Sequence, residues 1–266
     1  MTEISAALVK ELRELTGAGM MDCKRALQDA NGDLEAAQKL LRERGMASAA
    51  KRAGRETPEG KVGYRVAEDA KRGVIVAVGC ETEPVSNTEE FLAFAKKVLE
   101  AVERDGPGAE EQIDEERQEL SGKLGENIVV VGGTRFEAVD GATIDGYAHP
   151  PANKLGVLLQ VRGGANGLAR KVAMHIAASA PRWIGREDVP EEMIAAERDI
   201  YANSDEVQSK PEQARDKIVE GMLNKRFFAS QVLTEQVWIH DTAKTVGEAL
   251  GEEGAEVLEF ERFQLG

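Results

Sequence analysis

The sequence predicts an α+β protein, and three observations carry that prediction. The first 45 residues repeat apolar side chains at helical spacing. Two later stretches each combine short β-branched strands with an amphipathic helix. A pair of helical patterns joined by a polar turn falls within the second of them. At 266 residues the chain has enough length to bury a sizeable core, as one large domain or as two to three small ones.

Ile4, Leu8, Leu12 and Leu15 define the first helix, which TGAG ends because glycine takes the left-handed geometry that closes a helix. Asp22 is the expected cap of a second helix, CKRALQDA, and Asp33 of a third, LEAAQKLLRER, which Gly45 is expected to stop. Helices this short are unstable alone and are expected to pack as a bundle over residues 1–46. ASAAKRAGRETPEGK reads as a linker, 47–60. Residues 61–139 read as a first α+β unit. It holds strands at 61–68 and 73–79, a helix from Thr88 to Glu103 with Phe91, Ala95, Val98 and Val102 on one face, and an acidic helix over 109–124. NIVVVGGTRFEA returns as a strand that its Gly-Gly pair is expected to bulge or bend.

Residues 140–189 and 227–266 read as a second α+β unit. ATIDGYAH and LGVLLQVRG form a hairpin around PPANK, and Asn166 opens a helix that Pro181 ends. A helical hairpin over 190–226 interrupts this unit. Its first helix places Met193, Ala196 and Ile200 on one face, its second Ala214, Ile218 and Met222, and NSDEVQS turns between them. A helix at Thr245–Leu250 and the strand AEVLEFERFQLG close the chain.

The net charge of −14 repels phosphate backbones, and the one basic cluster, KRAGR at 51–55, reads as solvated linker, so no direct nucleic-acid partner is expected. No stretch approaches the ~20 apolar residues of a membrane span, and the N-terminus has no apolar block of a signal peptide. Cys23 and Cys80 form neither a CxxC nor a disulfide framework. A cytoplasmic location and a protein partner are expected.

Motifs for chemistry are scarce. No phosphate-loop pattern is present, so no nucleotide cofactor is expected in this chain. TGAGMMD reads as a helix stop followed by an apolar contact surface. His175 shares an apolar helix face and reads as a satisfied core histidine; His149, before Pro150 and Pro151, lies in a loop suited to contact. No metal-ligand spacing accompanies either. Glu81 and Glu83, if both lie on one strand, stand roughly 6–7 Å apart at ~3.3 Å per residue, which leaves a carboxylate-pair hydrolase open as an alternative. Such an enzyme wants an aromatic sugar cleft, and only 5% of the chain is aromatic. The competing reading is a solvated strand end with a capping box from Asn87 to Glu90.

VKELRELTGAGMMDCKRAL with ANGDLEAA, then CETEPVSNTEEF, GENIVV, MHIAASAPRWI, EDVP, KIVEGMLNK and KTVGEAL, in that order, closely resemble the bacterial elongation factor Ts family along essentially the whole chain. The resemblance implies a three-helix, ubiquitin-associated-like (UBA-like) domain before a two-part α+β core with an inserted helical hairpin. It implies a guanine-nucleotide exchange factor for elongation factor Tu, without covalent chemistry, acting by Mg²⁺ dislocation and by stabilising the nucleotide-free partner. Implied contact residues are Leu12, Arg13, Thr16, Gly17, Ala18, Gly19, Met20, Met21 and Lys24 in the first domain. Thr82, Glu83, Pro84 and Val85 are implied in the Mg²⁺-dislocating loop, and His149, Trp238, Ile239 and His240 in the last unit. The family's Thr-Asp-Phe-Val pattern departs here, with Glu83 for Asp and Pro84 for Phe; Val237 and Trp238 likewise replace a Pro-Phe pair. A paralogue that binds elongation factor Tu without efficient exchange is therefore a further alternative, and self-association is left open.

Overall fold

The computed structural model describes residues 4–165 and 167–266, so the expected helix opening at Asn166 lies outside the described residues. Three helices begin the chain: α1 (Ala6–Thr16), α2 (Met20–Asp29) and α3 (Leu34–Arg52). Val9, Leu12, Cys23, Ala26, Leu27 and Ala37 close over one another as their shared core. Gly17, at φ 68°, ends α1 as the sequence predicts. Two expected boundaries move. The cap of α2 is Gly19, and Asp22 lies inside the helix, paired with Arg25. Nor does Gly45 stop α3, which continues to Arg52, so only residues 53–58 of the expected linker lack regular structure. Gly45 instead lies at a close crossing with Gly122 of a later helix, where it is Gly122 that has no room for a side chain.

Two antiparallel three-stranded sheets follow. The first orders β1 (Glu59–Val66), β2 (Arg72–Cys80) and β3 (Ile128–Glu137); the second orders β4 (Ala142–Ala148), β5 (Leu155–Arg162) and β6 (Glu256–Gln264). Both central strands are buried on both faces, which explains their uninterrupted apolar runs. Val74, Val76 and Val78 of β2 face helix α5 (Glu89–Asp105), which follows a single helical turn, α4 (Glu83–Ser86), and presents Phe91, Phe94, Val98 and Val102. Ile75 and Ala77 turn the other way and meet Ile144 and Leu158 of the second sheet. Each of the valine, isoleucine, leucine and phenylalanine side chains contributes roughly 1.5–3 kcal/mol on full burial. The Gly-Gly segment of β3 does bulge: Gly132 pairs with Ala77 but Val130 with Val78, leaving Val131 without a partner. A 3₁₀ turn (Ala109–Ile113) and α6 (Asp114–Leu124) complete the first unit, α6 lying against α3.

The outer face of the second sheet is covered by α7 (Leu168–Ser179), where Val172 and Ile176 meet Val157, Leu159 and Val161. Helices α8 (Glu191–Ala202), α9 (Asp205–Gln208) and α10 (Glu212–Met222) come next, then a π-helical run (Leu223–Phe228) and α11 (Ala229–Gln231). The face expected on α8 is corrected. Met193, Ile194 and Tyr201 pack inward, whereas Ala196 and Ile200 are exposed. The expected polar turn contains α9, whose Val207 is buried among Val219, Met222 and Leu223 and so anchors the hairpin tip. Finally α12 (Val246–Glu252) carries a capping box from Thr245 to Glu248 before β6. No described helix is long and apolar enough to cross a membrane.

Candidate partner-binding surfaces

The α1–α2 turn is built by local hydrogen bonds. The Thr16 hydroxyl donates to the Leu12 carbonyl (2.7 Å), and the Ala18 N–H donates back to Thr16 Oγ1 (3.3 Å). Gly17 in left-handed geometry and Gly19 in extended geometry then bring Met20 and Met21 to the first turn of α2. Leu15, Met20 and Met21 stand 58%, 49% and 61% exposed, an apolar ridge of three large side chains. Arg13, Gly17, Gly19 and Lys24 are exposed around it, and Thr16 and Ala18 are half-buried. Leu12 is the exception among the implied contacts: it is fully buried in the bundle core and cannot meet a partner.

The stretch after β2 is not a strand end. The strand stops at Cys80, Thr82 takes the N-cap position, and Glu83 begins α4. Pro84 lies in the first turn, where its missing N–H costs nothing because that donor has no intrahelical acceptor. This overturns the paired-carboxylate geometry expected for Glu81 and Glu83. Glu81 Oε1 accepts the Asn127 N–H (2.6 Å) and faces Arg55 (3.3 Å), while Glu83 is exposed on the helical turn. The expected Asn87 capping box is also absent. Thr88 caps α5, its hydroxyl oxygen accepting the Phe91 N–H, and the Asn87 amide instead donates to the Glu83 carbonyl (3.0 Å).

Glu126, which no local pattern singled out, fixes this turn. Its carboxylate accepts the N–H groups of Glu81 (3.1 Å) and Thr82 (3.0 Å) and the Thr82 hydroxyl (2.6 Å). Together with Glu81 on the Asn127 N–H, it makes a reciprocal clamp across 45 residues of chain. The Cys80 thiol lies beneath, pushed up to about 11 by burial first and the Glu126 charge second, so it stays protonated. Thr82, Glu83 and Pro84 project to solvent, and Val85 packs half-buried against the α5 core. The result is a stiff protrusion with a short apolar tip.

On the second unit, His149 follows β4 with its Nδ1 2.7 Å from the Tyr147 hydroxyl. His240 is exposed, with its Nε2 3.1 Å from the Lys171 carbonyl of α7. The preceding helical residue, Arg170, donates to the Gly146 carbonyl of β4 (2.7 Å), which ties the strand leading to His149 to the end of α7 that holds His240. Trp238 does not belong to this surface: it is 5% exposed and packed in the core, while Val237 and Ile239 beside it are exposed. His175 is a satisfied core residue as expected. Its Nδ1 accepts the Ile239 N–H (3.4 Å), so Nε2 carries the proton and donates to Gln236 Oε1 (2.9 Å). Burial lowers its pKa and holds it neutral. Among the described residues no group of three or more His, Cys, Asp or Glu side chains is arranged to hold a metal. A cleft of about 1510 Å³ between the bundle and α5–α6 is walled by charges paired with one another, among them Lys97 with Glu116 and Lys123 with Glu90.

Residues 81–266 match the family described as Elongation factor TS. Proteins named elongation factor Ts extend the similarity over the N-terminal bundle as well. That of Thioalkalivibrio sulfidiphilus is 41% identical over 275 aligned residues, covering 99% of this chain and 92% of its own. That of Sodalis glossinidius is 41% identical and that of Pasteurella multocida 42%, each covering 100% of this chain and 93% of its own. The chain therefore belongs to the elongation factor Ts family.

Proposed function

We propose that this chain binds elongation factor Tu·GDP and promotes GDP release during translation elongation, holding its partner in the nucleotide-free form. Family membership over nearly the full length carries this reading. An exchange factor forms no covalent bond, so it needs shaped surfaces that favour one conformation of its partner; by linkage, its effect on GDP affinity equals the effect of GDP on its own. The exposed Leu15–Met20–Met21 ridge and the clamped Glu83–Pro84 protrusion are surfaces of that kind. The carboxylate-pair hydrolase and the exchange-deficient paralogue are not favoured.

In finer detail, the first bundle serves as the UBA-like domain and the two sheets with their helices as the two-part core, with residues 190–226 as a hairpin inserted in its second part. The bundle ridge and the Thr82–Val85 turn engage the GTPase domain, with Pro84 as a blunt wedge toward the Mg²⁺ site; His149, Ile239 and His240 engage the third domain of elongation factor Tu. The compartment is the cytoplasm, where translation proceeds. Release of a fluorescent GDP analogue from the host's own elongation factor Tu tests the reading. The rate should rise with concentration of this chain to a plateau, and an unchanged rate at every concentration would refute it. Pro84→Phe should fold normally; if it leaves the plateau unchanged, the turn is not the wedge.

A further inference from the structure

We propose that the crossing of α3 over α6 at Gly45 and Gly122 is a positioning joint that sets the bundle ridge relative to the Pro84 turn, so that both engage one partner at once. This rests on the exchange reading. The two glycines are not equivalent. A β-carbon added to Gly122 would lie 2.7 Å from the Gly45 α-carbon and 2.9 Å from its carbonyl carbon, a backbone clash that no rotamer relieves. One added to Gly45 would stand 3.6 Å from the Gly122 α-carbon, an ordinary contact.

Charged and polar links on both sides hold the crossing in register. Arg42 of α3 pairs with both Glu115 and Glu119 of α6, and Arg52 donates to the Ser121 carbonyl (3.4 Å). Lys123 lies against Gly17 at the base of the ridge and pairs with Glu90 of α5 (3.3 Å). Beyond α3, the Asn127 amide holds the Arg55 carbonyl (2.8 Å). The Asn127 N–H holds Glu81, and the next residue back, Glu126, holds Thr82. A continuous run of contacts thus leads from the bundle to the turn that carries Pro84. Two patches on one rigid frame bind as a single unit, whereas patches on a loose frame lose the advantage of high effective concentration.

The test compares Gly122→Ala, Gly45→Ala and the parent chain by GDP release from elongation factor Tu. It also uses the distance between spin labels at Gln38→Cys and Glu100→Cys, both exposed sites, with native Cys23 and Cys80 fully buried. Gly122→Ala should shift or broaden the distance distribution and lower exchange efficiency about tenfold while the chain still unfolds cooperatively, whereas Gly45→Ala matches the parent in distance and exchange. Should Gly122→Ala fail to fold, Glu115→Arg with Glu119→Arg replaces it, with the same shift and loss expected. A parent-like distance distribution, or a shifted one with parent-like exchange, overturns the proposal. If the parent chain itself releases no GDP, the exchange reading fails, and the distances still report on the joint.

Discussion

Met21 stands 61% exposed and Trp238 5%, and that difference decides what a substitution does at each. Trp238→Ala empties a site between His175, Leu233 and Val246 and should cost about 3–5 kcal/mol, read by urea denaturation. Met21→Glu touches no core neighbour and should change stability by less than ~0.5 kcal/mol. It should nevertheless raise the concentration for half-maximal GDP release about tenfold, the effect of losing ~1.4 kcal/mol of contact. Side-chain type marked both residues as apolar, and the TGAGMMD turn correctly put Met20 and Met21 outside. Spacing alone could not separate Leu12 from Leu15. Both continue one helical repeat, yet Val9 takes the second inward position and Leu15 turns out. Nor could it find Glu126, whose role depends on strands β2 and β3 bringing residues 45 apart in sequence to one end of the sheet.

At the scale of an element, α3 shows where local signals mislead. Glycine weakens a helix interior by roughly 0.5–1 kcal/mol relative to alanine, which is why Gly45 reads as a stop. The helix runs through it because α3 packs along α6, and that tertiary contact overrides the local propensity. Since an added methyl meets Gly122 at 3.6 Å, Gly45→Ala should raise the stability of the protein by about 0.5–1 kcal/mol, measured by thermal or chemical denaturation. Helix α5 was legible almost to the residue, because a strong cap and a wide apolar face agree there. The turn α4 was not legible. A single helical turn has no periodicity, and Pro84 is as compatible with a first turn as with a loop.

At the scale of the molecule, the layers run helix, sheet, sheet, helix, and their cores are mostly apolar, with buried polar side chains such as His175, Gln160 and Gln236 individually satisfied. The pH dependence follows from His175. Its folded pKa lies below the ordinary value of 6.5, so the unfolded chain binds more protons as pH falls through that value. Stability therefore rises with pH across this window and is lost on acidification, by at most about 1.4 kcal/mol per pH unit for one proton. Protonation would also remove the acceptor from the Ile239 N–H. A His175→Gln variant should show a flatter melting temperature between about pH 7 and pH 5. The two-sheet architecture was legible because β2 and β5 are continuous apolar runs, whereas the face-to-face packing of the sheets, set by close glycine contacts such as Gly146 on Tyr64, was not. One irregularity reaches beyond the fold. β3 is a rim strand, and its slipped residue, Val131, breaks the row of amide and carbonyl groups while the Phe263 ring sits over Gly132. A neighbouring molecule thus finds no unbroken ladder along this rim to zip onto, and even concentrated solutions of the protein should resist growth into ordered fibres from that side.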